Sequence, residues 1–277
     1  MIPRDFVTEW RAQAPWPDDA QVEQDLVICR ALVDIFSHPV LSQALAFRGG
    51  TALYKLYLKP AARYSEDIDL VQVRAEPAGD VIGHLREVFD PWLGPAKWKQ
   101  SEGRFTLTYR FEAEGPPAIP LRLKIEINTR EHFSVHGFTQ VPFSVASRWF
   151  AGRCDITTYD LDELMGTKLR ALYQRRKGRD LFDMYVALTQ GKAEPARIVT
   201  AFSSYMAAEN HVITRAQFEE NLALKMADAR FLSDISPLLT ADQSWEPARA
   251  AALIGEHLVA RLHGDPWKAP EGHGGKS

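Results

Sequence analysis

Asp67 and Asp69, separated by Ile68, are the residues whose type and spacing best suit them to chemistry. On a strand, side chains two residues apart leave the same face roughly 7 Å apart, so these carboxylates can share a pair of divalent ions. Magnesium takes one or two protein carboxylates along with waters and substrate phosphates, and two metals about 4 Å apart can clamp both ends of an in-line displacement. An isolated D-x-D is also the pattern of a solvated strand edge, and it gains weight here from what precedes it. Arg48-Gly49-Gly50-Thr51 follows a short apolar approach, Leu45 to Phe47, and helical spacing resumes at Ala52, Leu53, Leu56 and Tyr57. At such a strand-to-helix turn, glycines let backbone amides approach a ligand, and the free amides of a helix start attract phosphate. Thr51 adds a hydroxyl, although a turn glycine followed by a Thr N-cap has the same pattern. Together these residues describe a triphosphate on the turn with its metals on Asp67 and Asp69.

Glu126 lies on the polar face of a later strand beside Lys124. If that strand pairs with the one bearing the acids, Glu126 becomes a third carboxylate, a metal ligand or the base for an attacking hydroxyl. The alternative is a salt bridge between exposed charges. Lys168, Arg170, Arg175, Arg176, Lys177 and Arg179 put six positive charges and no acid into twelve residues, which implies a local anion site or simply a solvated helix face. Lys168 falls beside the apolar Leu164 and Leu172, so it points toward a core or a cleft. Asp180 and Asp183 follow, spaced to meet Arg176 or Arg179. His132 and His136 are four apart in a loop or strand, which does not suit zinc. Gly274-Gly275-Lys276-Ser277 lacks the first glycine and the helix of a phosphate-binding loop. Neither Cys29 nor Cys154 has a local basic partner that would make it a nucleophile.

The elements that position these residues are legible from periodicity. Val22, Leu26, Cys29, Leu32, Val33 and Phe36 give a helix from Asp19 to Phe36, ended by Pro39. Asp67 to Val73 is a strand with one acidic edge, and Val81 to Phe89 is a short helix before a Pro91–Pro95 loop. Strands Arg104 to Phe111 and Leu121 to Asn128 flank Glu114-Gly115-Pro116-Pro117, a loop that permits an antiparallel return. From Asp160 the pattern is helical throughout, with a break at Gly178 and further helices around 198–207, 215–226 and 245–262. The organisation expected is an α/β core over residues 1–150, a helical domain over 151–263 and a flexible tail over 264–277. With 277 residues, 45% of them apolar, the chain can build one large core or two modest ones. A net charge of -3 excludes a wholly basic nucleic-acid binder. Two widely spaced cysteines and an N-terminus with no apolar run point to a reducing, cytoplasmic setting without a membrane anchor.

Taken in order, Phe47-Arg48-Gly49-Gly50-Thr51-Ala52-Leu53, Arg63-Tyr64-Ser65-Glu66-Asp67-Ile68-Asp69-Leu70 and Lys168-Leu169-Arg170-Ala171-Leu172 through Arg179-Asp180-Leu181-Phe182-Asp183 resemble the AbiEii/AbiGii family of nucleotidyltransferase-like toxins. Mycobacterial members of the superfamily are known as MenT toxins. The resemblance runs over most of the chain, through Phe218, Leu222 and Phe231-Leu232-Ser233-Asp234. It implies an α+β fold: a DNA-polymerase-beta-like nucleotidyltransferase core with a mixed sheet, then an all-helical domain. It also implies transfer of NMP from an NTP to an RNA acceptor, the tRNA 3′ end, with Mg2+ as cofactor and a cognate antitoxin encoded nearby. Family residues carry over as Asp67 and Asp69 for metal, Gly49, Gly50 and Thr51 for nucleotide, and Lys168 and Asp180 in the later motif. Arg48 and Lys124 join the nucleotide-binding set and Glu126 the catalytic one. The family's wider pattern has Gly-Ser and a shorter spacer, where this chain has Thr51 and fifteen residues before Asp67. A sugar-nucleotide glycosyltransferase accounts for D-x-D but not for the glycine turn or Lys168. A nucleotide-binding module without turnover is the non-enzymatic alternative.

Overall fold

The computed structural model describes residues 1–114, 119–191, 193–240 and 244–268. The loop expected at Glu114–Pro117 falls mostly outside these, as does the tail beyond Lys268. The chain forms two compact units, one of Met1–Asp160 joined by a return of the chain from Leu238, the other Leu161–Pro237 with the chain from Ser244.

In the first unit, α1 (Arg4–Trp10), α2 (Asp19–Ser37) and α3 (Leu41–Ala44) lead into β1 (Leu45–Arg48). The chain turns at once into α4 (Gly49–Ala52), which continues through a π-helical turn, Leu53–Tyr57. Then come β2 (Asp67–Gln72), α5 (Gly79–Leu93), β3 (Lys97–Ser101), β4 (Arg104–Glu112), β5 (Pro120–Asn128), β6 (Phe138–Ala146) and β7 (Ala151–Tyr159). The strands form one sheet in the order β3-β4-β5-β2-β1-β7-β6, parallel at β2–β5 and β1–β7 and antiparallel elsewhere. Alternation gives the sheet two unlike faces. Ile68, Leu70, Phe105, Leu107, Tyr109, Leu123, Ile125 and Ile127 are buried on the face covered by α2 and α5. Their neighbours, Asp67, Asp69, Thr106, Thr108, Lys124 and Glu126, stay partly exposed on the other.

Two expectations are corrected. Helix α5 runs through Pro91 to Leu93 rather than stopping at Phe89, because Phe89 and Leu93 complete the apolar stripe of Val81 and Leu85. The sheet-bearing unit ends at Asp160 rather than near residue 150, because β6 and β7 form a hairpin and β7 pairs in parallel with β1. Pro142 interrupts the alternation of Val141, Phe143 and Val145 in the sequence, and the sheet tolerates it because β6 is an edge strand.

The second unit contains α6 (Leu161–Gln174), α7 (Gly178–Gln190), α8 (Pro195–Ala208), α9 (Arg215–Met226), α10 (Ala229–Ser233) and α11 (Pro247–His257). Helix α6 packs on α7 and α8, and α11 on α7. Thr214 and Gln217 form a reciprocal capping box at the start of α9. Lys225 donates to the carbonyls of Leu172 and Tyr173, satisfying the last turn of α6. Among the described residues no helix is long and apolar enough to cross a membrane.

Candidate active site

Strand register assembles the acids. Asp69 on β2 stands opposite Arg48 on β1 and opposite Glu126 on β5, and Asp67 stands opposite Lys124. The pairing on which a third carboxylate depended is therefore present. The turn before α4 then explains its two glycines. Gly49 has φ +83°, and a Cβ there would overlap Asp69 Oδ2. A Cβ on Gly50 would lie 2.5 Å from Arg63 Nη2 and 3.2 Å from Ser65 Oγ. Both glycines thus let the motif downstream of them pack against the turn.

Thr51 is placed differently from its expected role as N-cap or phosphate ligand. Arg48 occupies the N-cap position, while Thr51 lies inside the helix, 1% exposed. Its hydroxyl donates to the Asp67 carbonyl and lies 2.9 Å from Ser65 Oγ, so it tethers the strand that carries the acids. Arg48 pairs with Glu131. Burial by itself lowers the Arg48 guanidinium, but Glu131, Tyr159 and Asp69 outweigh it and hold the charge firmly.

Lys124 Nζ lies 3.5 Å from Asp67 Oδ2 and 3.2 Å from Glu126 Oε1. Burial lowers the Lys124 ammonium and Asp67, Glu126 and Asp69 raise it, with a net upward direction. Glu126 Oε1 is also 3.7 Å from Arg104 Nη1 and accepts from Thr106 at 3.5 Å, so it is engaged in the salt bridge weighed for it. Asp67 Oδ1, by contrast, is buried and has no hydrogen-bond partner among the described residues. A buried carboxylate oxygen without a donor is costly unless a cation completes it. Among the described residues no three or more His, Cys, Asp or Glu side chains converge as a cage. The carboxylates of Asp67 and Asp69 are hard oxygen donors of the kind that hold a divalent cation, whose shell water and substrate complete.

In the second unit, Lys168 lies between two buried acids. Its Nζ is 3.1 Å from Asp180 Oδ1 and 2.7 Å from Asp183 Oδ2, and Arg175 Nε donates to Asp180 Oδ2 at 2.7 Å. The predicted partners of Asp180 and Asp183, Arg176 and Arg179, are thus replaced by Lys168 and Arg175. Lys168 is also already neutralised, which does not suit a residue expected to meet a triphosphate. The rest of the basic run is largely paired as well: Arg170 with Glu209, Arg176 with Asp228 and Lys177 with Asp234. A run with the composition of an anion site is mostly a set of ion pairs, with Asp180 and Asp183 on the next helix and with Glu209, Asp228 and Asp234 from 39 to 57 positions away in sequence.

A family model described as nucleotidyl transferase AbiEii toxin, type IV toxin–antitoxin system, matches residues 30–253. The chain belongs to the AbiEii family. It is a nucleotidyltransferase toxin of a type IV system, and that membership implies an NTP substrate and a cognate antitoxin. The fold is similar to that of MenT4, a nucleotidyltransferase toxin from Mycobacterium tuberculosis H37Rv, with a TM-score of 0.67 at 17% identity over 95% of this chain and 91% of that one. It is also similar to JHP933 from Helicobacter pylori, with a TM-score of 0.56 at 18% identity over 87% and 90% of the two chains. No curated protein matches the sequence.

Several residues that brace this AbiEii site escape sequence reasoning. Asp25 accepts from the indoles of Trp10 at 2.9 Å and Trp16 at 3.1 Å and pairs with Lys55. A cavity of about 330 Å³ behind the turn is lined in part by Trp16, Thr51, Lys55, Arg63 and Ser65. The signal for Asp25 is its place on α2, four residues before Cys29 on the otherwise apolar face. Arg63, 3% exposed with its guanidinium over the Tyr54 ring, has no such local signal. Burial pushes the thiols of Cys29 and Cys154 up to about 12, which leaves both inert.

Proposed function

We propose that this AbiEii toxin transfers an NMP from an NTP to the 3′ hydroxyl of an RNA, a tRNA end, in a magnesium-dependent reaction in the cytoplasm. The observation that carries this reading is the cross-strand row Arg48, Asp69, Glu126, with Asp69 against the glycine turn and, beside it, Asp67, whose buried Oδ1 has no partner among the described residues. Asp67 and Asp69 would hold the metal, which when bound neutralises the triphosphate and polarises its α-phosphate. The amides at Gly49 and Gly50 face the phosphates, and Lys124 adds charge at the same edge. The acceptor oxygen forms a bond to the α-phosphorus, the α–β bridging P–O bond breaks, and pyrophosphate leaves. The hydroxyl proton passes to the carboxylate beside Asp69 in the row, Glu126. Lys168, Asp180 and Asp183 act as positioning residues that lock α6 to α7.

Purified protein incubated with each α-labelled NTP, magnesium and total tRNA is expected to label RNA. Asp69→Asn is expected to reduce labelling by at least about 100-fold while the melting temperature stays within a few degrees. Absence of magnesium-dependent label on any RNA with all four nucleotides overturns the reading. Equal growth inhibition by the Asp69→Asn and unaltered chains would instead support a module without turnover.

A further inference from the structure

The open face of the sheet does not end at the acids. Register extends the row Arg48–Asp69–Glu126 through Thr106 on β4 to Lys99 on β3. It extends the row Asp67–Lys124 through Thr108 to Lys97. From β2 to the edge strand β3 is three strand spacings, about 14 Å. Across β3, β4 and β5 this face carries Lys97, Lys99, Arg104, Arg110, Arg122 and Lys124 against only Glu112 and Glu126. Lys97, Lys99, Arg104, Arg110 and Arg122 are exposed. Arg110 stands directly opposite Arg122, and of this like-charge pair only Arg122 has an acid close by among the described residues, Glu66 at 3.6 Å. Among the described residues, Lys97, Lys99 and Arg110 have no acid within ion-pair distance, unlike most of the basic run over residues 168–179. Six cations in a chain of net charge -3 thus gather on one polar face that leads to the acid pair.

We propose that this β3–β5 face is the acceptor track, on which backbone phosphates of an RNA strand lie while its terminal hydroxyl reaches Asp67 and Asp69. The inference rests on the reading of an RNA acceptor and names the surface that binds it. Charge complementarity favours a polyanion, and the continuous rows give its end a route to the reacting position. Thr106 and Thr108 offer hydroxyls between the cations without blocking the path.

The test is binding of a labelled single-stranded RNA and of bulk tRNA by fluorescence anisotropy across a salt series, with NTP binding measured in parallel. Lys97→Glu/Lys99→Glu/Arg110→Glu is expected to weaken RNA binding at least tenfold and to lower the salt slope by about 2, three contacts at about 0.7 each. NTP binding should change less than twofold. The corresponding Gln triple, which leaves folding less perturbed, is expected to shift the slope in the same direction. Reversal of Arg176 and Lys177 on the α6–α7 turn is expected to have a smaller effect. RNA binding that is unchanged in the β3 triples but lost on reversal of Arg176 and Lys177 overturns the track and leaves NMP transfer untouched. Loss of binding to the cognate antitoxin, with RNA affinity intact, would assign the face to an acidic protein and also overturn it. Failure of the unaltered chain to bind any RNA removes the track together with the RNA acceptor, while labelling of a different acceptor would still preserve nucleotidyl transfer.

Discussion

At the scale of single residues, the site depends on how closely a side chain can approach a backbone. Gly49 combines φ +83° with contact against Asp69, so Gly49→Ala both strains the backbone and displaces a carboxylate. It is expected to cost about 1–3 kcal/mol of stability and most of the activity, read by thermal melting and NTP labelling. Gly50→Ala crowds only Arg63 Nη2 and Ser65 and is expected to retain more activity than Gly49→Ala. Thr51→Val removes the donor to the Asp67 carbonyl and should cost about 1 kcal/mol together with a fall in transfer rate. Thr51→Ser restores the hydroxyl and is expected to recover most of both. Recovery with Val instead would show that the methyl, not the tether, matters.

At the scale of elements, α6 and α7 are joined by charges buried out of water. Asp180 and Asp183 are fully buried, and Lys168 and Arg175 neutralise them. Removal of one partner leaves an uncompensated buried charge, so Lys168→Met is expected to cost about 3–5 kcal/mol, seen in urea unfolding. Activity lost in that variant would then report unfolding unless measured on the folded fraction. Burial alone raises the Asp180 carboxyl, but Lys168 and Arg175 outweigh it and hold it below its ordinary value of 3.8. Its contribution to stability is therefore complete above pH 3.8 and is lost as pH falls through the lower folded value. Asp180→Asn should be less stable at neutral pH yet show a shallower decline under acid, checked by melting temperature from pH 6 downward. An equally steep acid decline in that variant would remove Asp180 from the account.

At the scale of the whole molecule, the first unit borrows from the far end of the chain. Arg63 forms an isolated antiparallel bridge with Leu239, and the Tyr64 amide, three residues before the acid strand, donates to the Leu238 carbonyl at 2.9 Å. A chain cut after Asp160 loses this support and is expected to show faster amide exchange at Tyr64 and no transfer activity, read by hydrogen exchange and labelling. Much of the molecule was legible without coordinates where the signal is local. The carboxylates of Asp67 and Asp69 share a face because a strand repeats every two residues, and α2, α6, α7 and α9 follow from a period of 3.6. Pro142 hid β6, and the polar Asp25 on an apolar stripe gave only a faint hint of the network behind the turn. The sequence by itself determined which residues are chemically capable and which local elements carry them, because side-chain type and periodicity are set within a few positions. Tertiary contacts place Glu126 beside Asp69, make Thr51 the tether of a strand and pair most of the basic run over residues 168–179 with acids. Those outcomes rest on pairings between residues 16 to 60 positions apart, where no local pattern records which strand or acid will be the neighbour.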